Sequence, residues 1–184
     1  MGRGRGVALV VSAAVLLTAC GGITEAELEQ EAQSRGGGLG STLPLEAIDA
    51  IEAETGEPVI LRTMSMSLNS LTIETLVPGH DDQLDSWTYR SGGNLDGPSP
   101  VTGVPNAGEL RRTLVDPDRI AIDDLDELVD DAIEEADLPD GYAQSVFISR
   151  SSPDRVTISV GVTNPRETVH VDYRGNGERI EATS

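Results

Sequence analysis

The chain contains no lysine: all 13 basic residues are arginine, set against 32 Asp and Glu, for a formal net charge of −19 over 184 residues. Schiff-base chemistry and the lysine of a phosphate-binding P-loop are therefore excluded. The acidic balance also argues against a nucleic-acid partner, because phosphate backbones are bound through clustered basic residues. Aromatics are scarce at 3%, so any core is aliphatic. With two histidines and one cysteine, little is left for nucleophilic or thiolate chemistry. No G-x-S-x-G elbow, H-E-x-x-H pair or glycine-rich phosphate loop occurs, and no cofactor is expected.

What is present begins at the N-terminus. Arg3 and Arg5 precede an 11-residue apolar run, Val7 to Leu17, broken only by Ser12. A membrane-spanning helix needs about 20 apolar residues, so this run fits the apolar region of a secretory signal. It leads into Leu17-Thr18-Ala19-Cys20, followed by two glycines. These four residues resemble the lipobox of bacterial lipoproteins. The resemblance implies that residues 1–19 are a signal peptide, that Cys20 carries a diacylglyceryl thioether, and that the mature chain sits on the outer face of the cell membrane. Cys20 is the sole cysteine, so no disulfide can form and stability rests on packing. Two acyl chains anchor stably where one is marginal. Residues 20–42, with alternating glutamates from Glu25 to Glu31 and the run Gly36-Gly37-Gly38, are expected to form a flexible tether. As a glycine-rich coil they would span on the order of 26 Å.

Beyond the tether, periodicity predicts an α+β fold made of two tandem α-β-β-β repeats, residues 43–101 and 119–184, joined by a Pro/Gly-rich linker at 102–118. Leu45, Ile48 and Ile51 predict the first helix, ended by Gly56 and Pro58. Val59–Ser67, Leu71–Val77 and Leu84–Arg90 read as its strands. In the second half, Ile120 and Ile122 suggest a short strand, and Asp123-Asp124 a helix cap. Leu125, Leu128, Val129, Ala132 and Ile133 form the next helical stripe. Tyr142–Arg150, the alternating Val156–Val162 and Thr168–Arg174 follow as strands. Two adjacent sheets are expected, with Trp87, Tyr89, Val169, Val171 and Tyr173 facing their helices. Ser86, Thr88, Arg90, His170, Asp172 and Arg174 then face away. The order helix, three strands, Tyr-Arg and glycine turn, with Val169-His170-Val171-Asp172, resembles the PepSY-like repeat. The tandem copies also resemble β-lactamase-inhibitor proteins, and the whole resembles lipoproteins of high-GC Gram-positive bacteria. Those families imply protein binding, inhibition or envelope sensing, and they supply no catalytic residues.

Asp123 to Asp140 holds ten acids, but their spacing matches no EF-hand loop, so they read as the solvated side of an amphipathic helix. His80, Asp81, Asp82 and Asp85 read as turn residues, and no metal is assigned. The expected function is therefore an extracytoplasmic, membrane-anchored module that binds an envelope protein or a small ligand through its polar sheet surface. The second reading is an envelope hydrolase using paired carboxylates, which would require a cleft with two facing acids.

Overall fold

The computed structural model describes residues 39–40, 42–152 and 155–181. The expected signal peptide, Cys20 and the part of the expected tether before residue 39 lie outside the described residues. The described elements are α1 (Thr42–Thr55), β1 (Leu61–Ser67), β2 (Ser70–Leu76), β3 (Leu84–Arg90), β4 (Asn94–Pro100), α2 (Ala107–Leu110), a 3-10 turn (Pro117–Arg119), α3 (Leu125–Ala136), β5 (Tyr142–Ser152), β6 (Arg155–Thr163) and β7 (Thr168–Arg174). No helix among them is long and apolar enough to cross a membrane.

The predicted fold class requires correction. The chain forms one seven-stranded antiparallel sheet in the order β4-β3-β2-β1-β5-β6-β7, not two tandem α-β-β-β repeats with a sheet each. It is mainly β. The overturning contact is the β1–β5 pairing, in which Met64 stands opposite Ile148 and Met66 opposite Val146. Two sheets of this size would each leave a strand edge of unpaired amides and carbonyls exposed. Pairing β1 with β5 satisfies both edges and merges two small cores into one, and a single core is more stable at this length. A fourth strand, β4, follows the three expected in the first repeat, and it pairs Leu95 with Tyr89. Ile120 and Ile122 are buried but form no strand, since Ile120 closes the 3-10 turn.

Alternation along the strands makes one face apolar from end to end. One cross-strand row runs Trp87, Ile73, Met64, Ile148, Ile158, Tyr173. All six are buried, and the parallel row from Tyr89 through Leu71, Met66, Val146 and Val160 to Val171 is buried too. Both long helices cover this face: α1 packs on β2, β3 and β4, and α3 on β5, β6 and β7. Leu43, Ala47, Ile48 and Ile51 make the inner side of α1, and Leu125, Leu128, Val129 and Ala132 that of α3. Leu39 is buried in the same core, just ahead of α1.

The acids of α3 have more support than its sequence alone suggests. Arg179 reaches back to Glu135 at 2.7 Å and to Asp131 at 3.6 Å. Asp124 stands at the N-cap position, but its side chain caps no amide. Asp126 and Glu127 in the first turn complement the positive end of the helix.

Each long helix also sends a carboxylate to a tyrosine in the sheet. The Tyr89 hydroxyl donates to Glu46 at 3.1 Å, and the Tyr173 hydroxyl to Asp131 at 2.8 Å. Burial, followed by the bond to Asp131, holds the Tyr173 hydroxyl well above its ordinary value of 10.0. The folded state thus keeps a proton that the unfolded chain releases near that value. The contribution of Tyr173 is full below about pH 10 and falls away as pH rises further. Tyr173→Phe is expected to cost about 1 kcal/mol near neutral pH through the lost hydrogen bond. It should also flatten the alkaline decline in melting temperature above pH 10, and an unchanged alkaline slope in the variant would refute the assignment.

Candidate functional site

Among the described residues, neither long helix packs on the opposite face of the sheet. Both long helices, α1 on β2–β4 and α3 on β5–β7, lie over the covered side described above. On the open face a row of side chains crosses all seven strands: Asp96, Thr88, Thr72, Ser65, Phe147, Ser159, Asp172. The neighbouring rows are equally polar, with Ser86, Glu74, Thr63, Ser149, Thr157 and Arg174 in one of them. Within these rows the Thr63 hydroxyl donates to Glu74 at 3.1 Å, and Arg62 pairs with the same carboxylate at 3.3 Å. Arg90 pairs with Asp96 near one edge.

Phe147 is the exception. It is the chain's only phenylalanine, it lies on β5 near the middle of the sheet, and it is 44% exposed. Its strand neighbours Val146 and Ile148 point into the core, so alternation forces Phe147 outward. The side chains opposite it are Ser65 and Ser159, too small to cover an aromatic ring. On the same face, a Cβ at Gly161 would come within 2.7 Å of Ser145 Oγ, which keeps the surface low beside it. The result is a flat hydroxyl-rich surface with one aromatic ring standing on it. Such a surface offers donors and acceptors plus a stacking platform.

The sequence-singled residues fall in several places. Ser86, Thr88, Arg90, His170, Asp172 and Arg174 do face away from the helices, and Trp87, Tyr89, Val171 and Tyr173 are buried beneath them. His80, Asp81 and Asp82 lie exposed on the β2–β3 loop, where Asp81 pairs with Arg111. Among the described residues no three His, Cys, Asp or Glu side chains converge to hold a metal ion. A concavity of about 470 Å³ between α1 and residues 116–123 has Asp49, Glu52, Asp116, Asp118 and Asp123 around an apolar floor. Two of those acids are spent on the backbone: Glu52 accepts from the Val59 amide at 2.9 Å, and Asp116 from the Asp118 amide at 3.1 Å. Glu52 thus ties α1 to the chain before β1, and Asp116 caps the 3-10 turn. Cys20 is outside the described residues, so nothing in the fold bears on its chemistry.

No family model and no curated protein matches the chain. A solved structure does resemble it: the crystal structure of a putative lipoprotein from Clostridium difficile 630. The likeness has a TM-score of 0.55 at 9% sequence identity, and it covers 75% of this chain and 90% of that one. The two share a fold. At so low an identity nothing about residues or activity carries across.

Proposed function

We propose that this protein is a lipid-anchored extracytoplasmic binding module that engages its partner through the open face of the sheet. The observation that carries the reading is the exposed Phe147 at the centre of an uncovered, hydroxyl-rich seven-stranded surface. A large aromatic ring left 44% exposed on a polar face is available to anchor an interface, where aromatics that become buried contribute most. The Leu17-Thr18-Ala19-Cys20 motif and a fold neighbour described as a lipoprotein both support the anchored location. The partner is an envelope protein or a small ligand. A chain this acidic stands off an anionic bilayer instead of lying on it, which leaves the face accessible.

Two experiments test the two parts. Metabolic labelling with a palmitate analogue is expected to tag the protein, and Cys20→Ser to abolish the tag; label retained in the variant would remove the anchor. For the binding face, parent and Phe147→Asp proteins serve as baits in envelope extracts. The parent is expected to retain a partner that Phe147→Asp releases at least tenfold more readily, in keeping with loss of an interface anchor. Equal retention by two folded baits would move the binding surface elsewhere.

A further inference from the structure

We infer that the sheet end formed by β6, β7 and the turn after β7 is a binding site for a phosphate ester, held by Arg119, Arg155 and Arg174. These three arginines line one cavity of about 360 Å³, together with Val156, Asn176, Glu178 and other residues of the turn. Clustering of this kind runs against the composition: acids outnumber arginines by 32 to 13 in the chain, yet among the described residues lining this cavity arginines outnumber acids. Acidic clefts are unremarkable in such a protein. A basic one is not.

The cavity walls are tied together by backbone bonds, so the arginines project from a fixed frame. The Ala121 amide donates to Gly175 at 2.8 Å, and the Gly175 amide to Val156 at 3.0 Å. Across the turn, the Arg174 amide donates to Glu178 at 2.7 Å and the Gly177 amide to Arg174 at 2.9 Å. Asn176 Oδ1 accepts from the Glu178 amide at 3.3 Å, which leaves its side-chain amide hydrogens for a ligand. Arg119 stands at the end of the 3-10 turn that Asp116 caps.

The arginines are also weakly engaged. Arg119 lies 3.7 Å from Asp116 and Arg174 lies 4.0 Å from Glu178, the two longest ion pairs among the described residues. Pairs so exposed contribute little and yield easily to a better acceptor. Arg155 pairs with no carboxylate among the described residues. Against Asp116 and Glu178, the acids paired with them among the described residues, the three arginines hold one more charge. Acids more than about 8 Å away are largely screened at physiological ionic strength. Guanidinium forks suit the paired oxygens of a phosphoryl group, and the cavity is large enough for such a group on a small polar body. Val156 and Ile180 supply an apolar side for that body.

The same phosphoryl chemistry is found in a soluble monoester and in the diester headgroup of a lipid or wall polymer, and the test separates them. The full chain, labelled for observation of arginine Nε–H signals, is titrated with glycerol 3-phosphate, with glycerophosphoglycerol and with acetate. Saturable shifts of Arg119, Arg155 and Arg174 are expected with at least one phosphate ester. A monoester preference points to a free metabolite and a diester preference to a headgroup or polymer. Arg155→Gln and Arg174→Gln, both on the surface, should each weaken the response at least tenfold. Arg166→Gln, the same charge change on the β6–β7 loop, should leave it unaltered. Shifts that fail to saturate, that acetate reproduces, or that Arg166→Gln weakens equally would overturn the assignment.

Discussion

Replacing Ile158 with aspartate is expected to abolish the cooperative melt of the entire sheet. Ile158 is fully buried on the central part of β6, opposite Ile148 on one side and Tyr173 on the other. The substitution removes an aliphatic side chain whose truncation alone costs about 2–5 kcal/mol. It also places an unpaired carboxylate among apolar groups, which costs several kcal/mol more or forces the acid to take up a proton. Domains of this size are stable by roughly 5–15 kcal/mol, so the variant should be unfolded or close to it. Ile158→Val, by contrast, should cost only about 0.5–1.5 kcal/mol. Because β1 and β5 join both halves in one core, Trp87 on β3 should become solvent-exposed in the same transition. Its fluorescence reports this directly, as the chain has one tryptophan. A variant in which the C-terminal strands melt while Trp87 emission stays that of a buried ring would contradict the single cooperative core.

Trp87→Ala is expected to be the second most damaging change, at about 3–5 kcal/mol. The ring is 3% exposed, and its Nε1–H donates to Thr75 Oγ1 at 3.0 Å in a buried contact. Truncation opens a large cavity and strands the Thr75 hydroxyl, which is itself buried. β4 rests on the same ring: a Cβ at Gly97 would come within 2.9 Å of Trp87 Cε3 and 3.0 Å of the Ser86 carbonyl. Gly97 also has φ +137°, so a larger residue there would be strained as well as crowded. Urea melts followed by circular dichroism measure the effect, and a loss below about 1 kcal/mol for Trp87→Ala would show the ring to be peripheral.

Much of the local structure is legible in residue patterns. The alternation of Val156, Ile158, Val160 and Val162 marks β6 and its inward side, and β3 and β7 have the predicted ends. Helix α3 follows from its apolar stripe and ends at Asp137, which adopts the left-handed conformation. What the pattern does not contain is the choice of neighbour. Alternation says which side of β1 and β5 is apolar, but it is silent on whether those two strands pair, and that pairing decides between two sheets and one. β4 is hidden for a different reason: Gly97, Pro98 and Pro100 suit a loop, and a strand there is tolerable only at a sheet edge.

The candidate surfaces divide in the same way. Phe147 was within reach of the sequence, because Val146 and Ile148 facing inward leave it no other direction. The arginine cavity was not, since Arg119, Arg155 and Arg174 meet only through the fold. Nor was the bond of Arg179 to Glu135 on α3, which spans 44 residues.

The claim that the open sheet face is the working surface is tested most directly by photo-crosslinking in cells. A crosslinkable aromatic amino acid is placed at position 147 in one strain and, as a control, at Leu45, an exposed residue of α1 on the covered side. The account predicts a discrete adduct from position 147, none from position 45, and competition by excess untagged protein. Adducts from position 45 with none from 147 would contradict it.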